Sequence, residues 1–154
     1  MCRLCWFLSL VFAASTITLV YLFVIRGAVV PSSDGRSSIV LEPGERDLVL
    51  AEMRTFLVAV QAITAAAAEG DVAAVASAAR GVGMAAQTEV PATLVGKLPL
   101  GFKQQGFATH TAFDQLAADT EQFGDTSAAP AALGQLLQNC IGCHAAYKLT
   151  SETP

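Results

Sequence analysis

Two cysteines and a histidine near the C-terminal end of the chain have the type and spacing that covalent cofactor chemistry requires. They form the C-x-x-C-H sequence Cys140-Ile141-Gly142-Cys143-His144. Two thiols three positions apart lie on one face of a helix, where they can form thioethers with the two vinyl groups of one porphyrin. The adjacent imidazole is then held as the proximal ligand of the iron. The motif therefore predicts one covalently attached haem c, with His144 as a metal ligand.

Three alternatives compete with haem at this motif. A tetrahedral zinc site needs one or two further Cys or His ligands, and outside the N-terminal segment only His110 is available. A thioredoxin-like dithiol is typical of a βαβ context, which the sequence lacks. A chance match is the third alternative, because the motif is short. A second C-x-x-C pair, Cys2 and Cys5, has no histidine after it and is interpreted as unpaired thiols at a helix end.

The segment that carries the motif has helical periodicity throughout, with apolar residues at intervals of three and four. Gly70 is predicted to end one helix, and Asp71 and Ser127 are predicted N-caps. Short connections make neighbouring helices antiparallel. We therefore predict an all-α fold, an up-down-up-down four-helix bundle whose last helix carries the motif on its apolar stripe. The predicted helices cover residues 45–69, 72–86, 100–123 and 127–149.

The composition excludes several classes of protein. Apolar residues make up 53% of the 154 residues and charged residues only 14%, which excludes intrinsic disorder. The net charge is −4 and the nine Lys and Arg are scattered, so we expect no nucleic-acid partner. No Ser-His-Asp set, carboxylate pair or phosphate loop indicates an enzyme. The predicted core is rich in alanine and poor in large side chains, which leaves room for a bulky group.

An apolar segment precedes the predicted bundle. Residues 4–25 carry no charge and form enough helix to cross a hydrocarbon core of about 30 Å. Arg3 and Arg26 flank the segment, and Trp6 and Tyr21 lie near its two ends, as interfacial aromatic residues do. The alternative is a cleaved signal peptide, whose apolar core is typically shorter. The predicted domains are a transmembrane anchor over 1–26, a flexible linker over 27–44 and a haem domain over 45–150.

The motif at the end of a four-helix bundle resembles the cytochrome c-prime and cytochrome c-556 family. The resemblance covers roughly residues 45–150, and Tyr147-Lys148 is similar to the aromatic-basic pair that often follows the motif. It implies that Cys140, Cys143 and His144 bind the haem. In low-spin members a methionine on the first helix is the sixth iron ligand, and Met53 occupies that region. In high-spin members an apolar residue blocks this position and the iron has five ligands. The N-terminal anchor is a departure from the family, since most members are soluble after signal cleavage.

Three side chains are candidates for the sixth iron position, because the predicted bundle brings all three near the layer of His144. Met53 is favoured, since it lies on the inward stripe of a helix adjacent to the fourth. Met84 is more typical of core filling. His110 faces inward, but a lone buried histidine more often makes hydrogen bonds than binds a metal. An open site is the remaining alternative.

These observations favour a membrane-anchored cytochrome that carries single electrons and has no catalytic activity. Its expected partners are the lipid bilayer and membrane or periplasmic redox proteins. The expected location is the bacterial inner membrane, with a single pass and the haem domain on the periplasmic side, because c-type haem is attached outside the cytoplasm. Two other functions stay open: a five-coordinate protein that binds NO or CO, and a haem-bearing subunit of a larger membrane complex.

Overall fold

The computed structural model describes residues 3–87 and 90–151, so Cys2 lies outside the described residues. Within that part the chain is mostly helical, as predicted, with a small sheet in addition. In chain order the elements are α1 (Arg3–Val20), a π-helix (Tyr21–Arg26), β1 (Val29–Pro31), β2 (Ser37–Leu41), α2 (Pro43–Glu69), α3 (Val72–Arg80), a 3₁₀ turn (Met84–Gln87), α4 (Ala92–Lys97), α5 (Leu100–Phe123), α6 (Ala129–Ala146) and β3 (Tyr147–Ser151).

The N-terminal helix projects away from the rest of the chain. Every residue from Arg3 to Arg26 is exposed, and this 24-residue helix is long and apolar enough to cross a membrane. Length and composition alone do not distinguish a membrane span from an N-terminal signal sequence. A second helix, Pro43–Glu69, is also long and apolar enough to cross a membrane, but it contributes Val49 and Ile63 to the buried core.

The main core lies between α2, α3, α5 and α6. Helix α2 packs on α3 and α6, and α5 packs on the same two helices. Phe113 is the largest fully buried side chain and stacks on Phe56, with the ring centroids 5.6 Å apart. Much of the surrounding volume is filled by alanine, as the composition predicted. The buried alanines of this cluster are Ala59, Ala66, Ala76, Ala79, Ala117 and Ala129.

A three-stranded sheet covers one end of these helices, and it corrects two predictions. Residues 27–44 are not a flexible linker without regular structure, since β1 pairs antiparallel with β2 within this segment, residues 29–31 with residues 37–39. The fourth helix ends at Ala146 and not near Leu149, because β3 pairs parallel with β2. Side chains alternate along β3, and Tyr147 and Leu149 pack on the cluster that contains the buried Ile39. The fold is therefore mostly helical with a small sheet in addition.

Several helix boundaries follow from local chemistry, and others differ from prediction. Gly70 has a φ of 73°, and the Asp71 carboxylate accepts a hydrogen bond from the Ala74 backbone at 2.9 Å, so both predicted roles are confirmed. Helix α3 ends at Arg80, earlier than predicted, where Gly83 packs directly on the Asp114 carboxylate. The predicted N-cap Ser127 is wrong, because Ser127 hydrogen-bonds Asp125 and α6 begins at Ala129.

Candidate functional site

The two motif cysteines lie on the last turns of α6 and are both half-buried. They are not joined in a disulfide, and each retains a thiol. Burial raises the pKa of Cys140 above its ordinary value. Burial, together with the neighbouring Cys140, raises the pKa of Cys143 to about 11. The thiols are therefore protonated at neutral pH, and His144, which follows them, is exposed. This spacing presents two thiols and an imidazole at one end of one helix.

Two glycines allow the end of α6 to lie very close to the start of α5. A Cβ atom at Gly142 would lie 3.2 Å from Nε2 of Gln105, and one at Gly101 would lie 2.6 Å from the Tyr147 hydroxyl. Oε1 of Gln105 is buried and has no hydrogen-bond partner among the described residues. Buried polar atoms are normally paired. The contact between the motif and α5 is thus tight but leaves one buried acceptor without a donor.

A charged group from the β1–β2 hairpin holds the motif from the other side. Nη1 of Arg36 donates to the backbone carbonyl of His144 at 3.3 Å, and Nη2 of Arg36 lies 2.8 Å from Oδ2 of Asp34. Nζ of Lys148 lies 3.5 Å from the same Asp34 oxygen. The hydrogen bond from Arg36 holds the pKa of Asp34 well below its usual range. A cation at the C-terminal end of a helix stabilises the unpaired carbonyls there, so Arg36 positions the end of α6.

The three candidates for the sixth iron position lie in different surroundings. Met53 is half-buried and packs against the same cluster as Tyr147 and Phe102, close to the end of α6. His110 is buried, and its Nδ1 donates to the carbonyl oxygen of Val82 at 2.7 Å. Met84 is 39% exposed and lies in the turn after α3. The structure thus places Met53 against the cluster on which Tyr147 packs, and it occupies one ring nitrogen of His110 with a backbone carbonyl.

The other ring nitrogen of His110 faces a carboxylate. Its Nε2 lies 3.3 Å from Oε1 of Glu52, too poorly aligned for a hydrogen bond. Burial works against a charged imidazole here, but Glu52 and the Val82 carbonyl outweigh it and raise the pKa of His110 above its ordinary value. The His110 ring also packs on Phe56, with ring centroids 4.9 Å apart. Each of these contacts is typical of a structural histidine.

An apolar cavity of about 430 Å³ lies on the far side of Phe102 from the motif. Its walls come from the starts of α2 and α5, the turn after α3, and α4. Phe102 lines this cavity and also makes an edge-on contact with Tyr147, the ring centroids being 5.6 Å apart. Cys140, Cys143 and His144 do not line it. Its buried lining residues Val49, Leu94 and Leu98 belong to the cluster that contains Ile39, so the cavity is separate from the alanine-rich core in which unfilled volume was predicted.

Sequence reasoning missed Arg36 and Asp34, which the strand pairing brings to the motif from more than a hundred residues away. In the part of the chain that the structure describes, no group of three or more His, Cys, Asp or Glu side chains could hold a metal ion. The zinc alternative, which needs such a group, has no support there. No family model, curated protein or solved structure matches the chain.

Proposed function

We propose that this protein is a c-type cytochrome that carries single electrons at a membrane. The observation that carries the proposal is the C-x-x-C-H motif on the last turns of α6, with both thiols reduced and on one helix face. Covalent attachment of haem at this motif requires export of the chain from a reducing compartment, and an exposed apolar N-terminal helix is typical of exported chains. In this proposal the haem is attached through Cys140 and Cys143, and His144 is its proximal ligand.

The residues around the motif fit a bulky planar group. The buried Oε1 of Gln105 has no donor among the described residues, and the half-buried side chains Met53, Phe102 and Tyr147 pack against one apolar cluster. Phe102 also lines the adjacent cavity, so its ring has space on that side. Haem supplies, when bound, a reversible one-electron couple between Fe(II) and Fe(III).

Met53 is the proposed distal ligand. It shares a cluster with Tyr147, which comes three residues after the proximal histidine. His110 is less suited, because its other ring nitrogen, Nε2, faces the Glu52 carboxylate at 3.3 Å and its ring is packed on Phe56. A thioether ligand favours Fe(II) and keeps small molecules off the iron, which suits electron transfer better than gas binding.

The protein's own residues fix the geometry at this site. Arg36 holds the helix end through the His144 carbonyl, and β3 holds the residues that follow. We place α2, α3, α5 and α6 in the up-down-up-down order of a four-helix bundle, which the two-residue turn at Gly70-Asp71 supports. We propose no catalytic activity for the protein.

The proposed location is the bacterial inner membrane, with the N-terminal helix as a single-pass anchor and the helical domain on the periplasmic side. Anchoring raises the effective concentration of the domain near membrane redox proteins, which are the proposed partners together with soluble periplasmic ones. Membership of a larger membrane complex would use the same helix for docking.

Replacement of both motif thiols tests the proposal. We expect wild-type protein from a periplasmic expression host to have the mass of the polypeptide plus one haem, and to retain haem on a denaturing gel. A Cys140→Ala, Cys143→Ala variant should lose that haem. A matched control is Cys5→Ala, a thiol in the N-terminal helix that should leave haem content unchanged. Wild-type protein with the mass of the bare polypeptide would refute the proposed function.

A further inference from the structure

The end of the N-terminal helix is fixed to the helical domain by backbone contacts. The Ala28 N–H donates to the Lys97 carbonyl at 2.7 Å, and the Ala28 carbonyl accepts from Val40 N–H at 2.8 Å. The ring of Phe23 lies against Gly96, close enough that a Cβ atom there would be 3.8 Å from Cδ1. Two backbone hydrogen bonds in opposite directions restrict the junction far more than a flexible linker would.

Gly27 makes this junction possible. Its φ of +63° is unfavourable for any residue with a side chain, and a Cβ atom there would overlap the backbone of Lys97, Leu98 and Pro99. By contrast, Gly35 has a φ of +83°, and a Cβ atom there would meet no other atom within 4 Å. Gly27 therefore combines backbone strain with close approach, whereas Gly35 shows the strain alone.

Exposed apolar side chains surround the mouth of the cavity beside this junction. Val95 and Phe107 are 40% and 50% exposed, and both line the cavity. Lys103, on the same face of α5 as Phe107, donates from Nζ to the Val95 carbonyl at 3.3 Å and lies 3.5 Å from the Phe23 carbonyl of the N-terminal helix. The remaining exposed apolar residues of the rim are Leu48, Met84 and Val90.

We propose that this rim is a bilayer-docking surface, so that the helical domain sits on the membrane in one fixed orientation. The inference rests on retention of the N-terminal helix as an anchor, which is part of the proposed function. Lipid is the occupant, because the rim is continuous with the membrane helix through the contacts of Lys103 and Phe23. Apolar side chains enter the boundary between head groups and acyl chains, and a lysine beside them keeps its ammonium group among the phosphates.

The charges at the rim agree with a lipid surface. Lys103 pairs only with backbone carbonyls among the contacts described, so its charge is available to lipid phosphates. Glu52 is the carboxylate of the lining, and it faces the buried His110. The membrane then covers apolar surface that would otherwise contact water.

Fluorescence quenching by brominated lipid tests the orientation in the full chain. Trp6 is the only tryptophan, so a Trp6→Phe background carries one introduced probe at a time. Phe107→Trp places the probe on the rim, and Phe123→Trp is the control, being exposed on the same helix about 24 Å further along. Each variant is reconstituted into phosphatidylcholine vesicles with and without bromine on the acyl chains. We expect bromine to quench the probe at position 107 but not at position 123.

Substitution of Gly27 and of Gly35 tests whether the junction after the N-terminal helix sets the orientation of the domain on the membrane. In the Phe107→Trp protein, we expect Gly27→Ala to abolish quenching while the protein still floats with the vesicles. Gly35→Ala should retain quenching. Equal quenching at positions 107 and 123, no quenching at 107, or retained quenching in Gly27→Ala would each overturn the docking surface.

Flotation and the haem spectrum, recorded on the same samples, separate this inference from the function on which it rests. An unquenched probe in floating, haem-containing protein removes the docking surface alone. Protein that floats and is quenched but contains no haem refutes the cytochrome and leaves the docking surface intact. Protein that does not float has lost its anchor, which overturns both the membrane location and the docking surface.

Discussion

Replacement of His110 by phenylalanine separates a structural histidine from an iron ligand. His110 is 1% exposed, and its Nδ1 donates to the buried Val82 carbonyl at 2.7 Å. Phenylalanine keeps the ring volume beside Phe56 but cannot donate, and a buried carbonyl without a partner costs about 1–3 kcal/mol. We expect His110→Phe to lower the free energy of unfolding by that amount. His110→Ala also leaves a cavity and should cost about 3–5 kcal/mol.

The effect of His110→Phe on stability should depend on pH, in a direction that follows from the pKa of His110. Burial alone would lower the pKa of His110, but Glu52 and the Val82 carbonyl exceed that effect, so the pKa is raised in the folded protein. A histidine with a raised folded pKa stabilises the fold below its unfolded pKa, and this contribution disappears as pH rises through the folded value. The stability difference between wild type and His110→Phe should therefore be larger at about pH 5.5 than at about pH 9.

Urea unfolding in detergent, followed by circular dichroism, measures these differences, and the haem spectrum is recorded on the same samples. We expect an unchanged haem spectrum, since Met53 and not His110 is the proposed distal ligand. A loss below about 0.5 kcal/mol in His110→Phe would show that the buried hydrogen bond contributes little. A change from a low-spin to a high-spin spectrum would identify His110 as the ligand and refute the assignment of Met53.

Three further predictions concern other parts of the domain. Met53→Ala should convert a low-spin spectrum to a high-spin or water-ligated one and lower the reduction potential. An unchanged low-spin spectrum would eliminate Met53 as the ligand and favour His110. Asp71→Ala removes the hydrogen bond to the Ala74 N–H and should lower the free energy of unfolding by about 1 kcal/mol, measured by urea titration. The hydrogen bond from Lys97 lowers the pKa of Glu45, so the Glu45 carboxylate stabilises the fold above its unfolded pKa, and this stabilisation disappears as pH falls through the folded pKa. Acid should therefore reduce the stability of Glu45→Gln less than that of wild type. Equal losses of stability in the two proteins would contradict the role of this ion pair.

The features that were predictable from the sequence depend on neighbouring residues. Gly70 and Asp71 end one helix and begin the next through their own backbone and side-chain chemistry, so their roles could be predicted. The helix Leu100–Phe123 was predicted with the observed bounds, because Pro99 and Gly124 delimit it. The placement of His110 in the core followed from the spacing of apolar residues along that helix.

The features that were missed depend on residues far apart in the chain. The strand Tyr147–Ser151 is short, and Tyr147 satisfies both the helical stripe of α6 and the alternation of a strand. Only pairing with Ser37–Leu41 selects the strand, and a single sequence gives no sign of that partner. The contact of Arg36 with His144 depends on the same pairing, so the cation that holds the motif could not be found from local pattern.

The parallel pairing of β2 with β3 also bears on the order in which contacts form during folding. The Thr150 hydroxyl donates to the Ile39 carbonyl at 3.4 Å across 111 residues of chain. Contacts of such large sequence separation form after local helical ones, because closing a long loop costs entropy. Helix α6 can therefore form while β3 is still unpaired, when its thiols are open to an attachment enzyme. In the proposed cytochrome, haem attachment would then come first, and pairing of β3 with β2 would follow as the later step of folding.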